Sequence, residues 1–222
     1  MTGTAATYRL RKADFKLPAV LIGLSAIPTL GGVMRLVQLA SDSALTPDNA
    51  RFLQAPAPVV THAISASLYC LLGAFQFERR FRLRWPGWHR RAGQLLALAG
   101  LVTAGSGLWM TAAYRIPLPL QGALLYWVRL AVGSAMLASL AVGWWSILKR
   151  QVARHEAFML RAYALGQGAA TQALLLMPWT LSTGETGGPT RDVLMTAAWL
   201  INLLVAEAII RRPQRQAAAA PT

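Results

Sequence analysis

The sequence predicts an all-α, polytopic transmembrane bundle of six helices with both ends in the cytoplasm. Hydrophobic residues make up 55% of the 222 residues, charged residues only 14%, and the mean hydropathy is +0.41. A soluble domain carries about 25% charged residues, so this chain lacks the polar residues needed to cover a soluble globule. The apolar residues also form runs of about 20 residues, the length that crosses about 30 Å of hydrocarbon.

Six apolar runs predict the helices of one transmembrane domain (residues 17–210), at about 17–40, 57–77, 92–114, 121–148, 156–180 and 192–210. The first run is too long for the hydrophobic part of a signal peptide, so we expect a retained helix, bent near Pro28. A basic cytoplasmic tail (residues 1–16) precedes it. A second cytoplasmic tail (residues 211–222) follows the last run, and its low-complexity end predicts disorder.

Lysine and arginine are distributed unequally between the two sides of the predicted bundle. The N-terminal tail holds four, the loop at 78–91 six, the region at 149–161 four and the C-terminal tail three, seventeen in all. The opposite loops hold three: Arg51, Arg115 and Arg191. Because cytoplasmic loops of membrane proteins are enriched in these residues, the seventeen predict the cytoplasmic side of a bacterial inner membrane.

The net charge of +14 and the isoelectric point near 11.5 are also typical of nucleic-acid-binding proteins. Here the basic residues lie in short blocks between apolar runs, so we expect the lipid bilayer as partner and no nucleic acid. Motifs for phosphate, dinucleotide or zinc-protease sites are absent, and Cys70 has no second cysteine with which to pair. Enzymatic activity therefore stays open, and no catalytic residue is assigned.

Three basic residues fall inside predicted helices, in the outer half of the bilayer: Arg35, His62 and Arg129. A rise of 1.5 Å per residue places them roughly 7–12 Å below the surface. A charge there costs about 2–3 kcal/mol unless it finds a partner. No acidic residue is expected at the depth of Arg129, so carbonyls, Gln38, Gln172 or a bound anion must serve. One hypothesis is that carbonyls and water supply all the hydrogen-bond partners of Arg129, without a ligand. The other is that these residues line an outward-opening pocket for an anionic or carbonyl-bearing, quinone-like molecule.

Two further histidines, His89 and His155, open the predicted third and fifth helices at the cytoplasmic side. Facing imidazoles are the axial ligands of b-type haem, so this pair predicts a haem iron site. Arg90 and Arg161 lie nearby in sequence and could pair with the haem carboxylates. The alternative is that both histidines are ordinary interfacial residues. His62 has no histidine partner at its level, although Met34 or Met110 could supply a second ligand.

Small residues are frequent in the third helix and in the fifth, notably Gly100, Gly105, Gly107, Gly166 and Gly168. In lipid, small residues allow helices to approach closely. They would also make room for a flat cofactor. The sequence leaves both interpretations open.

A longer pattern joins several of these residues. His62 is followed by Gly73, Gln76 and Phe77 as Gly-x-x-Gln-Phe; His-Arg-x-x-Gly stands at 89–93, and His-x-x-Phe-Met-x-Arg-x-Tyr at 155–163. Over residues 55–212 the chain resembles a bacterial family of predicted integral membrane proteins of unknown function. The other positions that match the family pattern are Arg82, Asn202 and Glu207. The resemblance implies a membrane protein and no particular activity.

Three functional hypotheses follow. The leading one is a b-type haem or quinone-linked electron-transfer protein that uses His89 and His155. The second is a transporter of an anion or small molecule that uses Arg35, His62 and Arg129. The third is a non-catalytic membrane scaffold whose polar residues fix helix packing. Assembly as a homo-oligomer also stays open.

Overall fold

The computed structural model describes residues 15–41 and 43–218, and these ranges are helical without any strand. The predictions for residues 1–14 and for the end of the C-terminal tail (219–222) lie outside them. Short 3₁₀ turns cover Ala74–Phe77 and Leu118–Leu120. The α-helices are α1 (Lys16–Ala40), α2 (Ala50–Gln54), α3 (Pro56–Gly73), α4 (Arg79–Arg84), α5 (Pro86–Ala113), α6 (Ala123–Leu148), α7 (Val152–Gly166), α8 (Gly168–Thr183) and α9 (Pro189–Ala218).

Five helices in the described part of the chain are long and apolar enough to cross a membrane. They are α1, α3 with its 3₁₀ extension to Phe77, α5, α6 and the part of α9 up to Arg212. Apolar side chains on their outer faces are exposed, as lipid contact requires; Leu30 of α1 and Leu204 of α9 are examples. The membrane bundle is therefore confirmed. α9 runs past its predicted end at Ile210 to Ala218.

The predicted fifth helix is not continuous. It is divided at Gln167 into α7 and α8, of 15 and 16 residues, and neither half is long enough to cross the membrane alone. Gly166 and Gly168 flank the break. Apolar residues continue on both sides of Gln167, so hydropathy predicts one helix, although glycine is a weak helix former.

Side chains from α3 and α9 stabilise the break. Ordinary helical carbonyls accept from the fourth residue along, and in lipid a carbonyl that loses this partner must find another. Three consecutive carbonyls before the break accept hydrogen bonds from neighbouring helices: Ala164 from Asn202 Nδ2 (3.1 Å), Leu165 from Trp199 Nε1 (3.2 Å) and Gly166 from Cys70 Sγ (3.5 Å). The neighbouring helices therefore supply hydrogen-bond donors to the carbonyls at the break.

Several of the glycines make room for aromatic side chains in the core. A Cβ atom on Gly166 would lie 2.7 Å from the ring of Tyr69, and one on Gly73 would lie 2.7 Å from the ring of Tyr163. The two tyrosine rings pack against each other with centroids 5.8 Å apart. A Cβ on Gly168 would meet Trp199 Nε1 at 2.0 Å. Close packing thus accounts for Gly166 and Gly168.

Candidate functional site

A cavity of about 510 Å³ lies among α1, α3, α5, α6, α8 and α9, and we call it the outer cavity. Its wall brings together the three predicted pocket residues, Arg35, His62 and Arg129. Two arginines that the sequence assigned to the outer loops, Arg51 and Arg191, also line it. Loop residues carry no signal that they turn inward, so sequence reasoning missed both. Binding of a ligand here stays a prediction.

His62 lines the outer cavity, and one of its two ring nitrogens is held by α5. Its Nδ1 lies 3.0 Å from the carbonyl oxygen of Thr103 and 3.0 Å from Ser106 Oγ. A carbonyl can only accept, so Nδ1 donates and holds the proton. The Ser106 hydroxyl donates to the Val102 carbonyl and can therefore accept from His62. Nε2 has no hydrogen-bond partner among the described residues and retains accessible surface, so its lone pair is available to a ligand.

Arg35 and Arg51 sandwich the ring of Phe52. Each guanidinium carbon lies 4.3 Å from the ring centroid, the geometry of a cation–π contact. Arg35 also donates to Gln38 Oε1. One terminal nitrogen of Arg51, Nη1, is buried without a hydrogen-bond partner in the described residues. Burial, and to a smaller extent the nearby charge of Arg35, lowers the pKa of Arg51 from its usual value, while Asp48 opposes the shift.

Arg129 and Arg191 bind oxygen atoms of the short segment before α6. Arg129 donates to Gln121 Oε1, and Arg191 donates to the Leu120 carbonyl. The expectation that Gln38 or Gln172 serves Arg129 is wrong. Gln38 pairs with Arg35, and Gln172 donates to the Met195 carbonyl at 3.3 Å. The sequence could not show that the residues before α6 fold back toward Arg129.

The expectation that no acidic residue lies near Arg129 is also wrong. Asp192, which is 4% exposed, interacts electrostatically with both Arg129 and Arg191. Its Oδ2 accepts from the backbone N–H groups of Gly122 (3.0 Å) and Leu125 (3.4 Å), at the start of α6. A carboxylate at a helix N-terminus is favourable there. Among the described residues, no carboxylate oxygen lies within 4.0 Å of the guanidinium of any of the four cavity arginines.

The inner part of the outer cavity is mostly apolar. Its floor is the α7–α8 break, where Gln167 accepts from Ser25 Oγ at 3.0 Å and donates to Tyr163 Oη at 2.7 Å. Both polar groups of the Gln167 side chain are thus satisfied. The surrounding wall is made of apolar side chains and one thiol: Ala66, Cys70, Ala104, Val132, Met136, Ala170, Met195 and Trp199. The cavity is therefore amphipathic, basic at one end and apolar at the other.

The inner histidine pair, His89 and His155, lies away from the outer cavity and lines none of it. His155 Nδ1 donates to the Gly143 carbonyl at 2.9 Å, which leaves Nε2 as the unprotonated nitrogen. His89 Nδ1 is buried and without a partner in the described residues, and the two histidines interact electrostatically. Within those residues no cluster of three or more His, Cys, Asp or Glu side chains is placed to hold a bare metal ion.

The two arginines proposed to accompany the inner histidine pair, Arg90 and Arg161, have different surroundings. Arg161 makes a bidentate ion pair with Glu207 between α7 and α9. Arg90 is exposed. Arg82 pairs with Glu156, next to His155, at 2.8 Å. Arg82 and Arg161 thus contact carboxylates, whereas the arginines of the outer cavity contact none among the described residues.

Comparison with known proteins supports the predicted resemblance. A search of curated proteins and a search of solved structures found no match for the chain. A family model described as "Predicted membrane protein (DUF2306)" matches residues 59–210, which include α5, α6, α7 and α8 in full and nearly all of α3. The chain therefore belongs to this family of predicted membrane proteins of unknown function.

Proposed function

We propose that this protein binds an amphiphilic small molecule with an anionic or carbonyl-bearing head group in the outer cavity. One observation supports the proposal above the others. Four arginines and His62 line the same cavity, whose other end is apolar. Among the described residues, these arginines have no carboxylate ion pair and His62 Nε2 has no hydrogen-bond partner. A scaffold that only needs helix packing has no use for such an arrangement, because each buried charge costs free energy.

The chemistry of the wall defines the ligand. Guanidinium groups bind carboxylates and phosphates through charge-assisted hydrogen bonds, which strengthen as the surroundings become less polar. His62 Nε2, as an acceptor or metal ligand, adds a second polar contact. The apolar end suits a hydrocarbon or ring system. A cavity of about 510 Å³ falls in the range of ligand pockets.

Two activities fit such a site. Quinone-linked or haem-linked electron transfer is our first choice, because His62 can bind a quinone carbonyl once protonated, or a metal when neutral. Transport is the second, favoured by the α7–α8 break at the cavity floor. Transporters bind substrates at discontinuous helices near the middle of the bilayer, where unwound backbone lines a cavity.

A haem between His89 and His155 stays a separate proposal. The pair offers two ligand atoms, Nε2 of His155 and the unpartnered Nδ1 of His89. When bound, such a haem would supply one-electron chemistry at the cytoplasmic side. Against it, Arg161 is already paired with Glu207 and so is not free to bind a haem carboxylate.

For the membrane topology, we propose that α7 and α8 together make one crossing. The bundle then has six spans with both ends in the cytoplasm of a bacterial cell, as the distribution of lysine and arginine favours. Reporter fusions after residues 150 and 186 test this. They should report opposite sides of the inner membrane; the same side for both would contradict a single crossing by α7 and α8.

Ligand binding is tested with purified protein in nanodiscs, by thermal unfolding with dodecanoate and, separately, with a short-chain ubiquinone analogue. A ligand at about 100 times its Kd adds about 2.7 kcal/mol of stability. We expect stabilisation by at least one probe, and a tenfold or greater loss of its affinity in His62→Gln or Arg129→Gln. Arg115→Gln is the matched control, because Arg115 is exposed and lies outside the cavity. Equal loss in Arg115→Gln, or no stabilisation of the wild type by either probe, would overturn the proposal.

A further inference from the structure

We infer that the ligand of the outer cavity is a haem, an iron tetrapyrrole with two carboxylates, and that His62 Nε2 binds its iron. This inference rests on the proposed function and names the ligand class of that same site. It also relocates the haem from the inner histidine pair, where the sequence directed it. Three features of the outer cavity lead to it: a ligand nitrogen, a set of carboxylate-binding groups and room for a flat apolar ring.

The ligand nitrogen is already oriented. Histidines that bind metals donate their other ring N–H to a carbonyl or carboxylate, which fixes the tautomer and the ring direction. His62 Nδ1 donates to the Thr103 carbonyl at 3.0 Å, with Ser106 Oγ as an additional acceptor at 3.0 Å. Both partners lie on α5, so the ring is held against one helix while Nε2 stays available. Helix packing alone would not require a histidine whose Nδ1 is held by hydrogen bonds while its Nε2 has no partner among the described residues.

The cavity arginines outnumber the acids that interact with them among the described residues, which are Asp48 and Asp192. Arg35, Arg51, Arg129 and Arg191 line the cavity, and none has a carboxylate oxygen within 4.0 Å in the described residues. Asp192 uses Oδ2 to accept from α6 backbone N–H groups, and its Oδ1 is buried without a hydrogen-bond partner there. Three of the arginines donate to neutral oxygen atoms, whereas Arg51 Nη1 is buried without an acceptor among the described residues. Two haem carboxylates would supply an acceptor for Arg51 and negative charge for all four guanidinium groups.

The room for a flat ring comes from small side chains. Five that line the cavity are Gly32, Ala63, Ala66, Ala104 and Gly107. Gly107 lies directly beside His62: a Cβ atom there would be 3.4 Å from His62 Cε1. Met110, Met136 and Met195 line the same cavity, and a thioether sulfur from one of them could also bind the iron. Gly107 thus leaves space next to the ligand histidine, whereas Gly133 is accounted for by its packing against Leu108.

The inner histidine pair is the competing location, and the two locations differ in how their arginines are placed. A haem brings two carboxylates that need cations. Near the inner pair, Arg161 pairs with Glu207, and Arg90 is exposed. The four arginines of the outer cavity line the same cavity as His62, and none has a carboxylate oxygen within 4.0 Å in the described part of the chain. The outer cavity therefore brings the ligand nitrogen and the cations together.

The test titrates hemin into the purified full-length protein in detergent and records the Soret band, then the spectrum after reduction with dithionite. We expect one hemin per chain, with loss of at least tenfold in affinity for His62→Gly. Added imidazole should restore the wild-type spectrum in His62→Gly, which separates lost iron binding from lost folding. The double variant His89→Ala/His155→Ala should bind as the wild type does.

Hemin dimethyl ester, which lacks the two carboxylates, tests the arginines. The wild type should bind it at least tenfold more weakly than hemin, and this difference should shrink in Arg191→Gln but not in Arg115→Gln. Retention of the spectrum in His62→Gly without imidazole, or its loss in His89→Ala/His155→Ala, would overturn the inference. If hemin fails to bind while dodecanoate or the quinone analogue stabilises the protein, the inference fails and the proposed function stands. If none of the three binds, both fail.

Discussion

Arg161 and Glu207 form a bidentate ion pair that ties α7 to α9, with Nε 2.5 Å from Oε1 and Nη2 3.2 Å from Oε2. Both side chains are about a quarter exposed, and Arg211 approaches the same carboxylate at 3.6 Å. The pair lies next to the segment in which α7 ends at the α7–α8 break. It therefore ties α7, the first half of the broken helix, to α9.

Glu207→Gln should lower the free energy of unfolding by about 1–2 kcal/mol, because Arg161 then loses a charged bidentate partner in a half-buried place. Arg211→Gln is the control, since Arg211 is exposed and makes only the longer contact; we expect a change below about 0.5 kcal/mol. Equilibrium unfolding in detergent measures both, and a double-mutant cycle with Arg161→Gln isolates the pair. Equal effects of the two single changes would contradict this role.

Gly168→Ala should destabilise the protein by about 1–3 kcal/mol, because the added methyl group would lie 2.0 Å from Trp199 Nε1. Trp199 would have to move and give up its hydrogen bond to the Leu165 carbonyl. The matched control is Gly105→Ala on α5, where nothing lies within 4 Å of the new atom. That change should be neutral or stabilising by up to about 1 kcal/mol. Thermal unfolding of both variants tests the contrast, which fails if Gly168→Ala is tolerated as well as Gly105→Ala.

Asp192→Asn should have two opposite effects. Stability should fall by about 1 kcal/mol, because the carboxylate that binds the first N–H groups of α6 loses its charge. Affinity for an anionic ligand of the outer cavity should rise, since Asp192 no longer offsets Arg129 and Arg191. Thermal unfolding and a hemin or dodecanoate titration measure the two effects. A drop in both stability and affinity would show that Asp192 supports the cavity only by packing.

Cys70 offers a direct probe of the outer cavity, because it is the one cysteine in the sequence and it lines the apolar end. Alkylation by N-ethylmaleimide should be slow in the wild type and slower still when the cavity ligand is bound. Phe52→Ala should speed alkylation several-fold, since Phe52 lines the cavity and lies between Arg35 and Arg51. Mass spectrometry of the labelled protein gives the rates. Leu118→Ala, an exposed change outside the cavity, should leave them unaltered.

The sequence could be read correctly where a property depends on single segments. Each of the predicted helices 17–40, 57–77, 92–114, 121–148 and 192–210 corresponds to a helix that is long and apolar enough to cross a membrane. Hydropathy succeeds for these five because a backbone group in lipid needs a hydrogen-bond partner, which an uninterrupted helix supplies, so such spans are long, apolar and regular. Arg35, His62 and Arg129 were found as a group because a polar side chain inside an apolar run is costly and therefore conspicuous.

The partners of those residues could not be predicted, because they come from other parts of the chain. Gln121, which accepts a hydrogen bond from Arg129, lies eight residues before it in the sequence and outside α6. Arg51, which lines the cavity, lies on α2, a short helix before α3. The α7–α8 break is hidden for the same reason. Its carbonyls are satisfied by Asn202, Trp199 and Cys70, and no local pattern shows that these side chains will arrive.

By itself the sequence determined that this is a helical membrane protein of a particular family, with basic residues at recognisable depths. Hydropathy and charge act on each segment independently, so they can be read one segment at a time. Only the tertiary structure decided that four arginines and His62 line one amphipathic cavity while Arg82 and Arg161 pair with carboxylates elsewhere. The physical reason is that the free energy of a charge in lipid depends on its neighbours in space, and helix packing determines which residues those neighbours are.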